Sequence, residues 1–392
     1  MPVSRPPLLV VATSARAIAA AASTRFMPLT IDLFADRDTR ACAARAIRVT
    51  PGEDYSLPYA PVLAAVQAMA RACASRLPAV FGSGFEAAPE LLWAIGRHVD
   101  LLGCDAGVLR RLGDMPALAA RFAGDAALCM PATTRDAPAL PDAWLVKHDA
   151  CCGGLHVRAA RAADSATAGR YFQQRIEGPV WSALFVAAGG RCVACGAARH
   201  LRSSPAPRAP YAWQGALNAG DVPLAAAALE RCGQRLAQAL GLRGVFGIDF
   251  VPRDGIPVVL DINPRLTASL DVYPDRGALV AAHVAACAES TLLYSRSAAR
   301  PARGAAVLYA CRSGKIPEAF EWPGGVADVP HPGSAIAAGE PLVSVIVEDQ
   351  SGDTVLARLT ATSRELARRL AARGANLLPH DITITTVGGP DV

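Results

Sequence analysis

Apolar and polar positions along the chain follow two rhythms. Leu8-Leu9-Val10-Val11-Ala12 is a continuous apolar run of buried-strand length, and Ala15 to about Thr24 follows at helical spacing. Leu29-Thr30-Ile31-Asp32-Leu33-Phe34 is a second strand, ending at Ala35-Asp36. This order predicts a βαβ opening and a parallel sheet. A third strand, Pro78-Ala79-Val80-Phe81, runs into Gly82-Ser83-Gly84 and a helix around Pro89–Ile95. Residues 100–142 read as helices and an Ala- and Pro-rich linker. Strands and hairpins are expected at 143–147, 155–158, 171–176, 182–188 and 191–197, then a helix over 223–240. A hairpin at 245–263 and a helix near 275–288 come next. Residues 299–304, rich in Pro, Arg and Ala, read as a linker. Beyond them, short strands at 306–309 and 342–347 precede a helix over 363–373, and no internal repeat is evident.

Composition narrows the class. With 392 residues, 52% of them hydrophobic, the chain has the material for two or three packed units. The net charge of +5 is mild and the arginines are dispersed, with no basic run interleaved with aromatics, so no nucleic-acid partner is expected. Arg16 interrupts the apolar start that would otherwise resemble a secretion signal. No segment approaches the roughly 20 apolar residues needed to span a bilayer. The 11 cysteines, an odd number without a framework, suit a reducing compartment, and a cytoplasmic location is expected. Only Lys147 and Lys315 are lysines among 39 basic residues. Each is therefore worth a question, because ammonium and guanidinium differ as phosphate ligands.

Familiar nucleotide signatures are absent or incomplete. The Gly314-Lys315 pair lacks the glycine and Ser/Thr of a Walker loop. Gly82-Ser83-Gly84-Phe85-Glu86-Ala87 fits a relaxed dinucleotide fingerprint, but on the third strand and without an acidic partner. A stronger set follows. Ala143-Trp144-Leu145-Val146-Lys147 is a strand ending in lysine, and His148-Asp149-Ala150-Cys151-Cys152-Gly153-Gly154 turns back from it. Such a lysine reaches nucleotide phosphates while glycine N–H groups close over them; the alternative is a surface hairpin with a snorkelling lysine. Tyr171-Phe172-Gln173-Gln174-Arg175-Ile176-Glu177-Gly178 is a strand ending in a polar turn, able to offer backbone groups to adenine and a carboxylate to ribose. An ordinary amphipathic strand has the same pattern.

Gly247-Ile248-Asp249-Phe250 and Val259-Leu260-Asp261-Ile262-Asn263-Pro264-Arg265 form the sharpest signal. Asp261 and Asn263, two apart on a strand, share a face. A three-residue Arg253-Asp254-Gly255 loop would pair Asp249 with Val259 and put all three side chains on that face. A two-residue loop would pair Asp249 with Leu260 and turn it away. Gly255 permits the first register. Two carboxylates and an amide suit magnesium bridging phosphates, with a structural salt bridge as the alternative.

Lys147, Gly153-Gly154, Gln174 to Gly178, Asp249 and Asp261-Ile262-Asn263-Pro264-Arg265 together resemble the ATP-grasp superfamily in order and spacing. The likeness is specific over about residues 100–290. It implies an α/β, ATP-grasp fold: a Rossmann-like leading domain (1–100), an ATP-grasp domain of two α+β subdomains (101–298) and a small mixed carboxy-terminal portion (299–392). It implies that Lys147, Gly153 and Gly154 hold the phosphates of ATP, that Gln174, Arg175 and Ile176 meet adenine, and that Glu177 meets ribose. Asp249, Asp261 and Asn263 would hold Mg2+, and Arg265, with Lys147, would act on the reacting groups. The implied activity is carboxylate–amine ligation through an acyl phosphate. Three positions depart from the family pattern: Gln174 replaces an acidic residue, Asp261 a commoner Glu, and Met115 stands where many relatives have a lysine.

Small-molecule carboxylate and amine substrates are the expected partners, and a homodimer is among the oligomeric options. Arg16 and Glu86, beyond strand ends, and Trp213, in a loop, are candidate substrate residues, with capping or surface roles as alternatives. Cys192 and Cys195 have metal spacing but no second pair. His148 reads as a loop residue. The tail, with Pro332-Gly333 and Ala338-Gly339-Glu340-Pro341, is similar to that of carboxylase-like members. Among ligases, the whole-chain likeness is to those adding glutamate in one-carbon coenzyme biosynthesis, such as the tyramine–glutamate ligases of methanofuran-type cofactors. A nucleotide-binding protein with little catalysis and a biotin-carboxylase-like enzyme using bicarbonate are the other readings.

Overall fold

The first apolar run becomes the centre of a five-stranded parallel sheet. The structure, a computed structural model, describes residues 5–52, 55–204, 209–219, 222–295, 301–375, 377 and 383–386. Strands β1 (Pro7–Val11), β2 (Met27–Asp32), β3 (Arg45–Arg48), β4 (Pro78–Phe81) and β5 (Asp100–Leu102) lie in the order β3-β2-β1-β4-β5. The chain runs outward from β1 on one side and resumes with β4 on the other. This reversal opens a crevice between the carboxyl ends of β1 and β4, bridged by the Thr13 N–H bonded to Ser83 O at 2.8 Å. The sequence pattern gives no sign of β3: its arginine-flanked Arg-Ala-Ile-Arg is a partly exposed edge strand without an apolar run.

Next comes a small sheet of β6 (Thr133–Thr134), β7 (Trp144–His148), β8 (Arg158–Ala159) and β9 (Arg170–Gln174), in the order β6-β9-β7-β8. The strand expected at 155–158 shrinks to Arg158–Ala159, because Gly153 to His156 are taken up by the turn. Lys147 pairs with Tyr171 and Leu145 with Gln173, so these four residues share the face turned to the rest of the protein. Phe172 and Val146 pack on the other face with Ala160.

The large antiparallel sheet holds β10 (Trp181–Ala188), β11 (Arg191–Ser204), β12 (Gly215–Asn218), β13 (Gly244–Arg253), β14 (Ile256–Asn263) and β15 (Ala302–Tyr309), in the order β14-β13-β10-β11-β12-β15. Strands Pro341–Asp349 and Val326–Ala327 continue it beyond β15. The linker expected at 299–304 is therefore corrected at 302–304: these residues open β15, whose alternate residues are buried. Residues 299 and 300 lie outside the described set. Helix Ala226–Leu240 buries Leu229, Leu236 and Leu240 under this sheet with the stacked Phe185 and Phe246. The last helix is twice the expected length, Gly352–Ala372, because Ser351 caps it by accepting the Thr354 N–H. Among the described residues no helix is long and apolar enough to cross a membrane.

Candidate active site

The β13–β14 turn is the two-residue one, Asp254-Gly255, with φ of 51° and 79°. These left-handed values are those of the type I′ hairpin turn. Arg253 pairs with Ile256 and Phe250 with Val259, the phase that would turn Asp249 away. A β-bulge then takes up Leu260 as an extra residue, and beyond it Asp249 pairs with Asp261 and Gly247 with Asn263. The ligand face expected from the sequence is thus formed by a different route: the unproductive turn, corrected by a bulge. Gln173 steadies the bulge, its buried side-chain amide donating to Leu260 O at 3.3 Å.

Asp249 is oriented from behind. Its Oδ1 accepts from Ser182 Oγ at 2.5 Å, and Ser182 Oγ lies 2.7 Å from His200 Nε2. A hydroxyl has one proton, so with Ser182 donating to Asp249, His200 Nε2 supplies the proton to Ser182. Burial pushes the Asp249 carboxyl up, but His200, Ser182 and Lys147 outweigh it and hold it below the ordinary value. Burial and the adjacent Asp249 charge push Asp261 up to about 6, against the pull of Lys147. Burial likewise lowers the Lys147 ammonium, while Asp261 and Asp249 oppose the fall. Among the described residues the Lys147 ammonium makes no hydrogen bond or ion pair.

This arrangement fits a divalent cation and a polyphosphate. Two carboxylates face each other at the cost of raising one of them, a cost that a cation between them removes. Asn263 adds an amide oxygen, which also accepts from Arg265 Nη2 at 2.9 Å. Among the described residues no group of three or more His, Cys, Asp or Glu side chains is placed to hold a metal, so the donor set here is a carboxylate pair with an amide. Cys195 is buried in the sheet, and Cys192 packs against the core instead of forming a chelating pair.

Gly153 and Gly154 both have φ of +73°. The Gly153 carbonyl accepts from the Trp213 N–H at 2.9 Å, and a Cβ on Gly154 would come within 1.9 Å of Tyr211 O. The loop is thus clasped by residues 211–213. Trp213 also sets its ring edge-on to His200, with centroids 4.8 Å apart. It thereby links the loop to the residues behind Asp249.

In the segment expected at adenine, the strand presents its side chains alternately to the two faces. Gln174 is exposed, while Tyr171 and Gln173 face inward, because strand residues alternate. Arg175 and Glu177 pair with each other at 2.7 Å on the surface, and Ile176 between them is half-buried. Met115 is buried and lines the cleft together with Tyr171, His148, Cys151 and Asp261. The nearby Arg135 is bound to Asp149 and Asp114, so its donors are engaged within the protein.

Arg265 is buried, with Nε 2.5 Å from Glu86 Oε1, and Glu86 Oε2 accepts the Gly84 N–H at 2.8 Å. Glu86 therefore reaches the cleft from the β1/β4 crevice. Arg16, expected at the substrate, is placed differently. Its guanidinium is bidentate to Asp271 at 2.7 and 2.6 Å and bonded twice to Asp328 at 2.9 Å, which uses its donors to join three distant segments.

The hairpin thus supplies a carboxylate pair and the facing small sheet a buried lysine, beside a turn with two left-handed glycines. Residues 118–269 match the family model of the ATP-grasp domain, and the chain carries an ATP-grasp domain there. The ligase-type enzyme class, ATP and magnesium expected from the sequence agree with that match. No curated protein matches the chain. Among solved structures, the biotin carboxylase domain dimer of Hydrogenobacter thermophilus 2-oxoglutarate carboxylase, in complex with MgADP, ADP and bicarbonate, is 12% identical, with a TM-score of 0.64 over 91% of this chain and 89% of that one. A Campylobacter jejuni biotin carboxylase–β,γ-ATP complex is 13% identical, with a TM-score of 0.63 over 96% and 92% of the two chains. A Rhizobium etli pyruvate carboxylase is 14% identical, with a TM-score of 0.65, and this chain covers 37% of it. At these identities the likeness is one of fold.

Ser182, His200 and Gln173 are site residues that the motifs do not reveal. A lone serine in the otherwise apolar β10 and a histidine in β11 are the available signals.

Proposed function

We propose that the protein is an ATP- and magnesium-dependent carboxylate–amine ligase. The observation that supports this most is the opposed pair Asp249 and Asp261 near Lys147, whose ammonium makes no hydrogen bond or ion pair among the described residues, with Arg265 alongside. Arg265 orients the substrate carboxylate, which takes up the terminal phosphoryl group of ATP to give an acyl phosphate and ADP. An amine then displaces phosphate and forms the amide. Lys147 offsets phosphate charge, Gly153 and Gly154 cover it, and their clasp by residues 211–213 keeps water from the acyl phosphate. Asp249, Asp261 and Asn263 would hold magnesium, which supplies charge neutralisation at the phosphates when bound.

Glutamate, as donor or acceptor, is the first substrate to try, from the likeness to glutamate ligases of methanofuran- and methanopterin-type coenzyme biosynthesis. We place the reaction in the cytoplasm. A second reading, carboxylation with bicarbonate, is favoured by the coverage of both chains in the H. thermophilus comparison. The test is product analysis over a panel of carboxylates and amines, against bicarbonate alone. ADP and phosphate that require both a carboxylate and an amine support the ligase. ADP formed with bicarbonate alone supports the carboxylase. AMP rules out both, and tight ATP binding without turnover supports a binding protein limited by Met115.

A further inference from the structure

The cleft is lined by two carboxylates, Asp261 from the hairpin and Glu86 from the crevice of the parallel sheet. Asp261 belongs with Asp249 to the cation site, so Glu86 is the carboxylate of the lining left without a role in nucleotide binding. Its side chain is 14% exposed, and the pair it makes with Arg265 is buried. The charged and titratable groups around it are few. Arg265 holds Oε1, Asp261 lies near enough to repel it, and Cys152, in the phosphate loop, adjoins both Glu86 and Arg265. Burial pushes the Cys152 thiol up to about 12, so it is a neutral neighbour and no competing base. His148, also in the lining, has its Nε2 engaged by Arg170 Nε at 3.2 Å.

We propose that Glu86 is the catalytic base for the acceptor, taking a proton from a primary amine that arrives as its ammonium ion. This rests on the ligase reading above. Without substrate, Glu86 serves as counter-ion to Arg265. When a substrate carboxylate takes the donors of Arg265, Glu86 loses that partner and its Oε1 is left open towards the cleft. The base is thus released by the arrival of the first substrate. One ammonium proton passes to Glu86. The freed nitrogen lone pair attacks the carbonyl carbon of the acyl phosphate, forming the C–N bond. The C–O bond to phosphate breaks, and phosphate leaves with the electron pair. A second N–H proton goes to the departing phosphate, and Glu86 returns its own proton to solvent.

Hydroxylamine separates this role from a structural one, because it is mostly uncharged at neutral pH and needs no base to attack an acyl phosphate. Wild type, Glu86→Gln and Glu86→Asp are compared using the carboxylate and amine that the panel identifies, with hydroxylamine as alternative acceptor. Glu86→Gln should lose amine-dependent kcat by about 100-fold or more. Its hydroxamate formation should fall at least about 10-fold less, and amine turnover should recover as pH rises towards the pKa of the amine. Equal losses with both acceptors, or no loss with either, overturn the proposal. Should Glu86→Gln not fold, Glu86→Asp must show the same imbalance between acceptors. Wild type that yields neither hydroxamate nor amide fails at the ligase reading, before Glu86 is tested.

Discussion

Asp249 stands directly opposite Asp261 across the β13–β14 hairpin, and the extra residue Leu260 puts it there. Two devices of opposite effect are combined. The tight Asp254-Gly255 turn fixes a phase that would hide Asp249 in the sheet, and the bulge shifts the strand by one residue, so the carboxylates meet. The pair is then held by Ser182 and His200 on one side and Gln173 at the bulge on the other.

Metal-free protein should show this pairing in its pH dependence. Asp261 titrates at about 6 in the fold, and in the unfolded chain near the ordinary value of about 3.9. Between those values the folded state holds the extra proton, so the contribution of Asp261 to stability falls as pH rises through that window and is level above it. Asp261→Asn lacks this loss. In the presence of chelator, the Tm of the variant relative to wild type should therefore climb between about pH 4 and 6. A difference that stays constant with pH would mean that the two carboxylates do not share a buried site.

Lys147 is desolvated and makes no ion pair among the described residues, so its ammonium serves a ligand at the expense of the fold. Lys147→Met should weaken ATP binding by about 10-fold or more while leaving Tm equal or higher. Lys147→Arg should rescue binding poorly, since a planar fork does not replace a compact ammonium. Calorimetric titration with ATP and a thermal melt read both effects; unchanged affinity in the two variants would remove Lys147 from the phosphate site.

The two loop glycines should respond unequally. Both have left-handed φ, which costs a side chain about 1 kcal/mol, but a Cβ on Gly153 meets nothing within 4 Å while one on Gly154 meets Tyr211 O at 1.9 Å. Gly153→Ala should bind ATP within a few-fold of wild type. Gly154→Ala should push the loop off residues 211–213, weaken ATP binding by about 10-fold or more and speed hydrogen exchange over residues 150–156. Equal behaviour of the two variants would contradict the clasp.

Arg16 is expected to act on stability and hardly on substrate binding. Removing a buried guanidinium from two carboxylates costs about 3–5 kcal/mol, so Arg16→Met should lower Tm markedly, with KM for carboxylate and amine close to wild type. A raised KM at unchanged Tm would return Arg16 to the substrate site.

Much of this was legible in the sequence wherever one element carries its own signal. The runs that became β1, β2 and β4, and the alternation of Asp261 and Asn263, needed only local periodicity. Where two elements must be phased against each other, periodicity falls short. Gln173 goes unmarked because nothing in a lone strand says which face turns inward, and the bulge at Leu260 has no glycine to mark it. Arg16 shows the same limit over a longer range. A position at a strand end suggests a ligand, but its partners Asp271 and Asp328 are brought to it only by the fold. Ala302 to Gly304 looked like a linker because small and charged residues there hide a strand buried at alternate positions.

The Arg16 knot also bears on the order in which the chain is made. Its two counter-ions lie 255 and 312 residues downstream, so on a ribosome the parallel sheet emerges long before either carboxylate that neutralises its buried cation. Until then, Arg16 is a charge facing a half-built interior. The amino-terminal unit consequently reaches its final stability only after residues near 328 have been synthesised and docked, and nascent chains stalled before that point would be marked for capture by chaperones or proteases.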